Sequence, residues 1–304
     1  MPWTPPEPSG HPAAQRRRRG LGWPTAVADP YSGPVPNDQR EEADARVSLG
    51  RSGFESGSDV YERARPTYPE AAVAQLLATT GIVEGSRVLD LAAGTGKLTR
   101  HLRAARAACI AAEPSPSMRE VFTRAVPGVP MVGATAEAIP LRDATMDAVV
   151  VAQAFHWFEP ERALAEMARV LRGPGWVALI WNERDESDPM VAELVRISKW
   201  DDCQPYPVGR DFGLDIDASH RFGPVRRTKT EFTQWLDRDA FVEQVASRSY
   251  VRVLPDDEQK ALLDQIAAFA STLAEPIAMP YITDLFCAQV TTSPGRRGTG
   301  GGPI

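Results

Sequence analysis

The chain has 304 residues, 43% of them hydrophobic, enough for a sizeable core in one large domain or two small ones. Its net charge of −6 argues against a nucleic-acid partner, and about −8 falls on residues 51–290 once the balanced residues 1–50 and the two arginines of 291–304 are set aside. Cys109, Cys203 and Cys287 form no C-x-x-C pair, so neither a zinc site nor a disulfide framework is indicated, and a reducing, cytoplasmic setting is expected.

Residues 1–50 read as a disordered extension. Nine of the 27 prolines fall within the first 36 residues, among Gly, Ser and charges, and no apolar period appears. Arg16 to Arg19 are followed at once by Gly20-Leu-Gly-Trp-Pro24, which denies them the apolar run of a secretion signal. No stretch reaches the roughly 18 apolar residues of a membrane span, and the Gly-rich residues 291–304 are expected to be a loose tail.

An aromatic-rich lead-in begins near Phe54 and includes Tyr61, Arg65 and Tyr68. Pro69 and Gly81 then bracket a helix with Ala72, Val73, Leu76 and Leu77 on one face. Val88 to Leu91 is a short buried strand, Ala92 to Gly96 a loop of small residues, and helical spacing resumes from about Leu98 to Arg106. Such a turn aims backbone N–H groups and a helix dipole at whatever lies above the strand.

Three nucleotide-type readings compete for this loop. A phosphate-binding Gly-x-x-x-x-Gly-Lys-Ser/Thr motif anchored on Gly96-Lys97 would start at Leu91 and end at Leu98, so it fails at both ends. A dinucleotide fingerprint has Gly94-x-Gly96 but Thr99 where its third glycine belongs, which weakens it. The third reading is an acid ahead of a small-residue loop, Asp90-Leu-Ala-Ala-Gly94-Thr-Gly96.

Further strands are expected at Cys109 to Ala112, Met131 to Gly133, Asp147 to Ala152 and Trp176 to Trp181, with helices after Pro114-Ser115-Pro116 and from about Pro160 to Leu171. Alternation of this kind predicts a parallel, doubly wound α/β sheet that binds ligands at the carboxyl ends of its strands. Three features fall there. Glu113 lies 17 residues past Gly96, near the spacing at which an acid reaches a ribose diol. Ala136-Glu137-Ala138 can offer backbone and side chain to an adenine edge, and Gln153 to Phe158 is a polar and aromatic cluster.

Beyond Trp181 the pattern changes. A helix is expected at Asp188 to Lys199, a loop at Trp200 to Gly223, a strand at Val225 to Trp235, helices near Asp239 to Ala246 and Pro255 to Thr272, and a last strand at Tyr281 to Val290. The stripe Leu262, Leu263, Ile266 and Phe269 reads as core.

Asp90 to Gly96, Glu113-Pro114-Ser115, Thr135-Ala136-Glu137, Asp147 with its strand, Gln153 to Phe158 and Arg169-Val-Leu-Arg-Gly-Pro-Gly175 occur in the order of the motifs of class I S-adenosylmethionine-dependent methyltransferases, which the chain resembles over about residues 54–290. The lead-in together with Ala154-Phe-His-Trp-Phe158 is similar to the trans-aconitate methyltransferase-like subgroup. The resemblance implies a Rossmann-like seven-stranded sheet with a C-terminal antiparallel strand pair and a helical lid, at about 185–223 and 237–275, within a domain 51–290. It implies S-adenosylmethionine as cofactor, with Glu113 on the ribose, Asp90, Ala92, Gly94 and Gly96 on the methionine part, and Thr135 and Ala136 on the adenine. Pro114, Gln153, Tyr61 and Arg65 join the cofactor site; Trp157 and Tyr68 face the substrate. Ala92 replaces the usual glycine, Thr135 a frequent aspartate, and Gly173-Pro174-Gly175 the usual Pro-Gly-Gly.

Each of these residues also has a plainer reading. Asp90 can brace the loop, Glu113 can be a helix-start acid, His156 can be packing, and Tyr61, Arg65 and Tyr68 can anchor the lead-in. The expected activity is methyl transfer to a small-molecule acceptor, a carboxylate or hydroxyl oxygen, with His156 as the candidate catalytic base in the hydroxyl case and no metal. A nicotinamide-dependent oxidoreductase and a non-catalytic S-adenosylmethionine-binding protein are the alternatives. The oligomeric state is left open.

Overall fold

The computed structural model describes residues 62–198 and 210–291. The expected extension 1–50, Tyr61, most of the early part of the 200–223 loop and the tail past 291 lie outside the described residues.

Seven strands form one sheet. They are β1 (Arg87–Leu91), β2 (Ala108–Ala112), β3 (Met131–Val132), β4 (Met146–Ala152), β5 (Leu171–Arg184), β6 (Arg226–Leu236) and β7 (Ile277–Gln289), in the order β3-β2-β1-β4-β5-β7-β6. The first five run parallel, while β7 is antiparallel to both β5 and β6. This is the doubly wound sheet with a C-terminal antiparallel pair that the sequence predicts.

Helices α1 (Glu70–Thr80), α2 (Lys97–Ala104), α3 (Pro116–Ala125) and α4 (Pro160–Val170) cover the parallel part. Their ends follow from local chemistry. Gly81 closes α1 in the left-handed region at φ 67°, and Ser115 Oγ caps α3 by accepting from the Met118 N–H.

Alternate residues of each strand enter different cores. Leu89, Val149 and Leu179 pack with Leu164 and Met167 of α4, whereas Val88, Val150 and Ile180 pack with Leu76 of α1 and Leu98 and Leu102 of α2. Both faces being covered is why β1 and β4 read as unbroken apolar runs.

A third cluster is built by α5 (Pro189–Ser198), α7 (Arg238–Ala246), α8 (Ser249–Arg252) and α9 (Asp256–Ser271) on the outer ends of β6 and β7. Ile266 is fully buried there, with Leu262, Leu263 and Phe269 half-buried against it. This is the helical cap. The expected lid span 185–223 divides, however: α5 joins the cap, but α6 (Gly213–Ala218) inserts Ile216, with its neighbour Phe212, into the core of the α4 face.

Two strands are longer than predicted. β5 begins at Leu171, not Trp176, because Leu171 pairs with Met146 and the Gly-Pro-Gly run forms an irregularity within the strand. β7 begins at Ile277, not Tyr281, and pairs along the whole of β6. The four-residue α8 is too short to leave a period in the sequence. Among the described residues no helix is long and apolar enough to cross a membrane, and no acidic, His or Cys cluster is placed to hold a metal ion.

Candidate active site

The loop between β1 and α2 turns on three left-handed residues, Ala92 (φ 55°), Gly94 (φ 55°) and Gly96 (φ 86°). Their reasons differ. A Cβ on Gly96 would stand 2.5 Å from Val126 Cγ2 and 2.8 Å from Phe122 Cδ2, so packing under α3 forbids one. A Cβ on Gly94 would meet nothing within 4 Å, and the Gly94 N–H instead donates to Glu113 Oε2 at 3.0 Å. Ala92 adopts the left-handed angle without being glycine, at a cost of about 1 kcal/mol.

Glu113, at the end of β2, is 6% exposed and is held at both oxygens, by the Gly94 N–H and by the Ser115 N–H at 2.9 Å. Burial raises its pKa and the two backbone donors oppose the rise. Each oxygen accepts one bond from the backbone and keeps further acceptor capacity, the requirement for taking two vicinal hydroxyls. A cavity of about 270 Å³ opens beside it, lined by Ala92, Gly94, Glu113, Thr135, Gln153 and Trp157 among others. Pro114 and the buried Ala136 line it as well. Gln153 takes a left-handed φ of 59°, and its side-chain amide donates to the Asn182 carbonyl at 3.0 Å, tying the end of β4 to β5.

Asp90 lies behind this wall. It is fully buried, is not part of the cavity lining, and its Oδ2 accepts from Thr99 Oγ1 at 2.5 Å, while Oδ1 has no hydrogen-bond partner among the described residues. Burial pushes its pKa up to about 7, partly offset by the Thr99 bond. What the structure shows for Asp90 is a brace between β1 and α2, and Thr99, which reads as a missing glycine, is the partner of that brace.

His156 sits in a 3-10 turn, Phe155–Trp157, with its ring 4.5 Å from that of Trp157 and 6.3 Å from that of Trp181. It is absent from the cavity lining. Burial, then the positive charges of Arg210 and Arg65, lower its pKa to about 3. A base whose conjugate acid is that strong takes a proton from a hydroxyl poorly near neutral pH, so this pKa runs against the catalytic role expected for it. Tyr68 is 5% exposed in the core beneath α1, with Val73, Leu76 and Leu285, and does not line this cavity. Arg65 is half-buried, its charge felt by Lys97 and His156.

One residue of the site left no signal in the sequence. Glu62 accepts from Thr95 Oγ1 and from Arg100 Nη2 (2.6 Å), and its carbonyl accepts from Lys97 Nζ (2.5 Å). It clamps the lead-in onto the loop and the start of α2. An isolated acid in a non-periodic segment gives no cue to such a role.

A family model described as a methyltransferase domain matches residues 89–179. The chain is 39% identical over 246 residues to an uncharacterized methyltransferase of Mycobacterium tuberculosis, covering 78% of this chain and 95% of the relative. It is 34% identical over 236 residues to an uncharacterized methyltransferase-like protein of Schizosaccharomyces pombe, covering 75% and 92%. Among solved structures, a protein described as a type II methyltransferase from Anaeromyxobacter dehalogenans superimposes with a TM-score of 0.54 at 23% identity, over 74% of this chain and 97% of that one, a likeness of fold alone.

The buried Asp90 carboxyl gives a signed pH dependence. It is protonated in both folded and unfolded chains well below its ordinary value of 3.8, so its stability contribution is intact there and is lost as pH rises through the folded value of about 7. Asp90→Asn should therefore gain on the wild type by a margin that grows between pH 4 and 7, to about 4 kcal/mol, then levels off. Urea midpoints at pH 5 and pH 8 check it; a margin independent of pH refutes it. Ala92→Gly should raise stability by about 1 kcal/mol through relief of the left-handed angle, less the entropy that glycine adds to the unfolded chain. A midpoint lower than that of the wild type would show that Ala92 is unstrained.

Proposed function

The chain belongs to the class I S-adenosylmethionine-dependent methyltransferases, and we propose that within that family it methylates an oxygen of a small-molecule acceptor. The observation that carries the cofactor assignment is the Glu113 carboxylate, fixed by two backbone N–H groups at the wall of the 270 Å³ cavity with Gly94 open beside it. A ribose diol fits the acceptor capacity left on Glu113, the bare backbone at Gly94 leaves room for a ligand, and Thr135 with Ala136, which line the same cavity, would take the adenine edge. These residues would hold S-adenosylmethionine.

When bound, that group supplies a methyl on a sulfonium sulfur, and transfer to a carboxylate forms an O–CH₃ bond, returns the S–CH₃ electron pair to sulfur and moves no proton. The protein's own contribution is to orient the acceptor and exclude water. Trp157 and the 3-10 turn close the cavity from the β4 side, and the Gln153 amide bond to Asn182 keeps that wall against β5. Because His156 remains a neutral, weakly basic imidazole, an acceptor that needs no deprotonation is favoured, and a carboxylate meets that condition. The resemblance to the trans-aconitate methyltransferase-like subgroup supports the same choice.

Calorimetric titration of the full chain with S-adenosylmethionine and, separately, with NADH checks the cofactor. Micromolar binding of the first, weakened at least about a hundredfold in Glu113→Ala, is expected. Heat with NADH alone would move the chain to the oxidoreductases, and binding without transfer to any acceptor would make it a non-catalytic binder. His156→Ala should keep turnover within about tenfold of the wild type and leave the pH profile between 6 and 9 unaltered. A fall in wild-type turnover toward pH 6 that is lost in the variant, together with a large drop in turnover, would restore His156 as a base.

A further inference from the structure

The sheet ends on one side at β3 and on the other at β6, and the two edges differ. β3 has two residues, whereas β6 has eleven, contains no proline and keeps an unbroken register with β7 from Arg226 to Leu236. Among the described residues no backbone group bonds to its outer side. A long, regular edge of this kind offers a row of N–H and C=O groups to another strand, and proteins blunt such edges with bulges, prolines, brevity or charge. On β6 only charge is used.

That charge lies on one face of the strand. Phe232 and Gln234 turn toward the cap, where Phe232 stacks on Tyr281 and Gln234 accepts from Gln244. The opposite row, Lys229, Glu231, Thr233 and Trp235, is exposed, Trp235 to 63%. Lys229 is held loosely, 3.8 Å from an Asp284 carboxylate that Arg227 already grips at 2.6 Å.

Two copies of β6 can pair antiparallel about a two-fold axis only if that axis passes through one residue, which then faces its own copy, because hydrogen-bonded positions must meet hydrogen-bonded positions. An axis through Arg226, Arg227, Lys229 or Glu231 sets like charges together, and one through Thr228 sets Arg227 against Lys229. With the axis through Thr230, Lys229 faces Glu231 of the second copy, twice by symmetry, while Arg227 faces Thr233 and Trp235 faces Val225. No other axis within β6 opposes unlike charges without also opposing like ones.

We propose that the chain forms a homodimer through antiparallel pairing of β6 with its copy about Thr230, giving one sheet continuous through both copies. Charge complementarity at Lys229 and Glu231 fixes the register, and Trp235 gains an apolar neighbour at each end. The cavity beside Glu113 opens at the ends of β1, β2 and β4, away from this edge. The dimer therefore stands independently of the methyl-transfer reading.

Light scattering on the full chain, from about 1 to 100 μM, tests it. The wild type should reach twice the chain mass at the upper end of that range. Lys229→Glu and Glu231→Lys should each weaken association at least about tenfold, since each sets like charges opposite one another at both pairs. An equimolar mixture of the two should recover the dimer, because each copy supplies the charge that the other lacks. The double variant, carrying both changes, should dimerise by itself and carries the same expectation if a single variant fails to fold. A wild type still monomeric at about 100 μM overturns the dimer and leaves the edge to another segment of this chain or to a different protein. A dimer indifferent to all three variants overturns the β6 pairing, and loss in the single variants without recovery in the mixture or the double variant overturns the Thr230 axis.

Discussion

The buried hydrogen bond from Thr99 to Asp90 sets where α2 starts relative to β1, and the site is hung on that start. With Asp90 fully enclosed and Thr99 in the first turn of α2, the intervening loop has little choice of path. It must reverse within Ala92 to Gly96, which is why three of its five residues are left-handed. The Gly94 N–H then faces Glu113, and the loop end of β1 is stitched to the end of β2. A short bond to a nearly enclosed carboxyl is a strong local constraint, and the burial of Asp90 is the cost at which it is obtained.

From that loop, contacts run outward to the cap. Glu62 holds Thr95, Lys97 and Arg100 at the start of α2, and the adjacent Arg63 pairs with Glu243 of α7 at 2.7 Å. The Arg63 pair is exposed and contributes little by itself. Gln244, next to Glu243 and fully buried, adds its contacts to Ala64, Gln234 and Tyr281. The lead-in is therefore a strap shared by the β1–α2 loop and the cap.

What could be read in the sequence divides along physical lines. The parallel sheet was legible because strands covered on both faces, such as Val88 to Leu91, show as apolar runs, and Gly81 and Pro69 mark helix ends through backbone angles that are properties of single residues. Glu113 was legible because its spacing from Gly96 follows from the length of one helix and one strand. The role of Thr99 was not, since a glycine template counts it only as a mismatch. Glu62 and Gln244 were invisible for a related reason: each acts through partners far away in the chain, up to 180 residues for Gln244 and Ala64, and no period records such contacts. Tyr68 is the converse case, an aromatic in a suggestive motif that lies buried in the core beneath α1.

The charges of the site are arranged with a single consequence. Arg65 bears on both His156 and Arg248, so the positive potential that presses on the buried arginine also keeps the imidazole neutral. A site built to use His156 as a base would place a carboxylate near it and raise its pKa; here burial and two guanidinium groups act in the opposite direction. Burial, with Arg210 and Arg65 beside the ring, therefore sets the imidazole against taking up a proton, and the buried Arg248 feels the charge of the same Arg65.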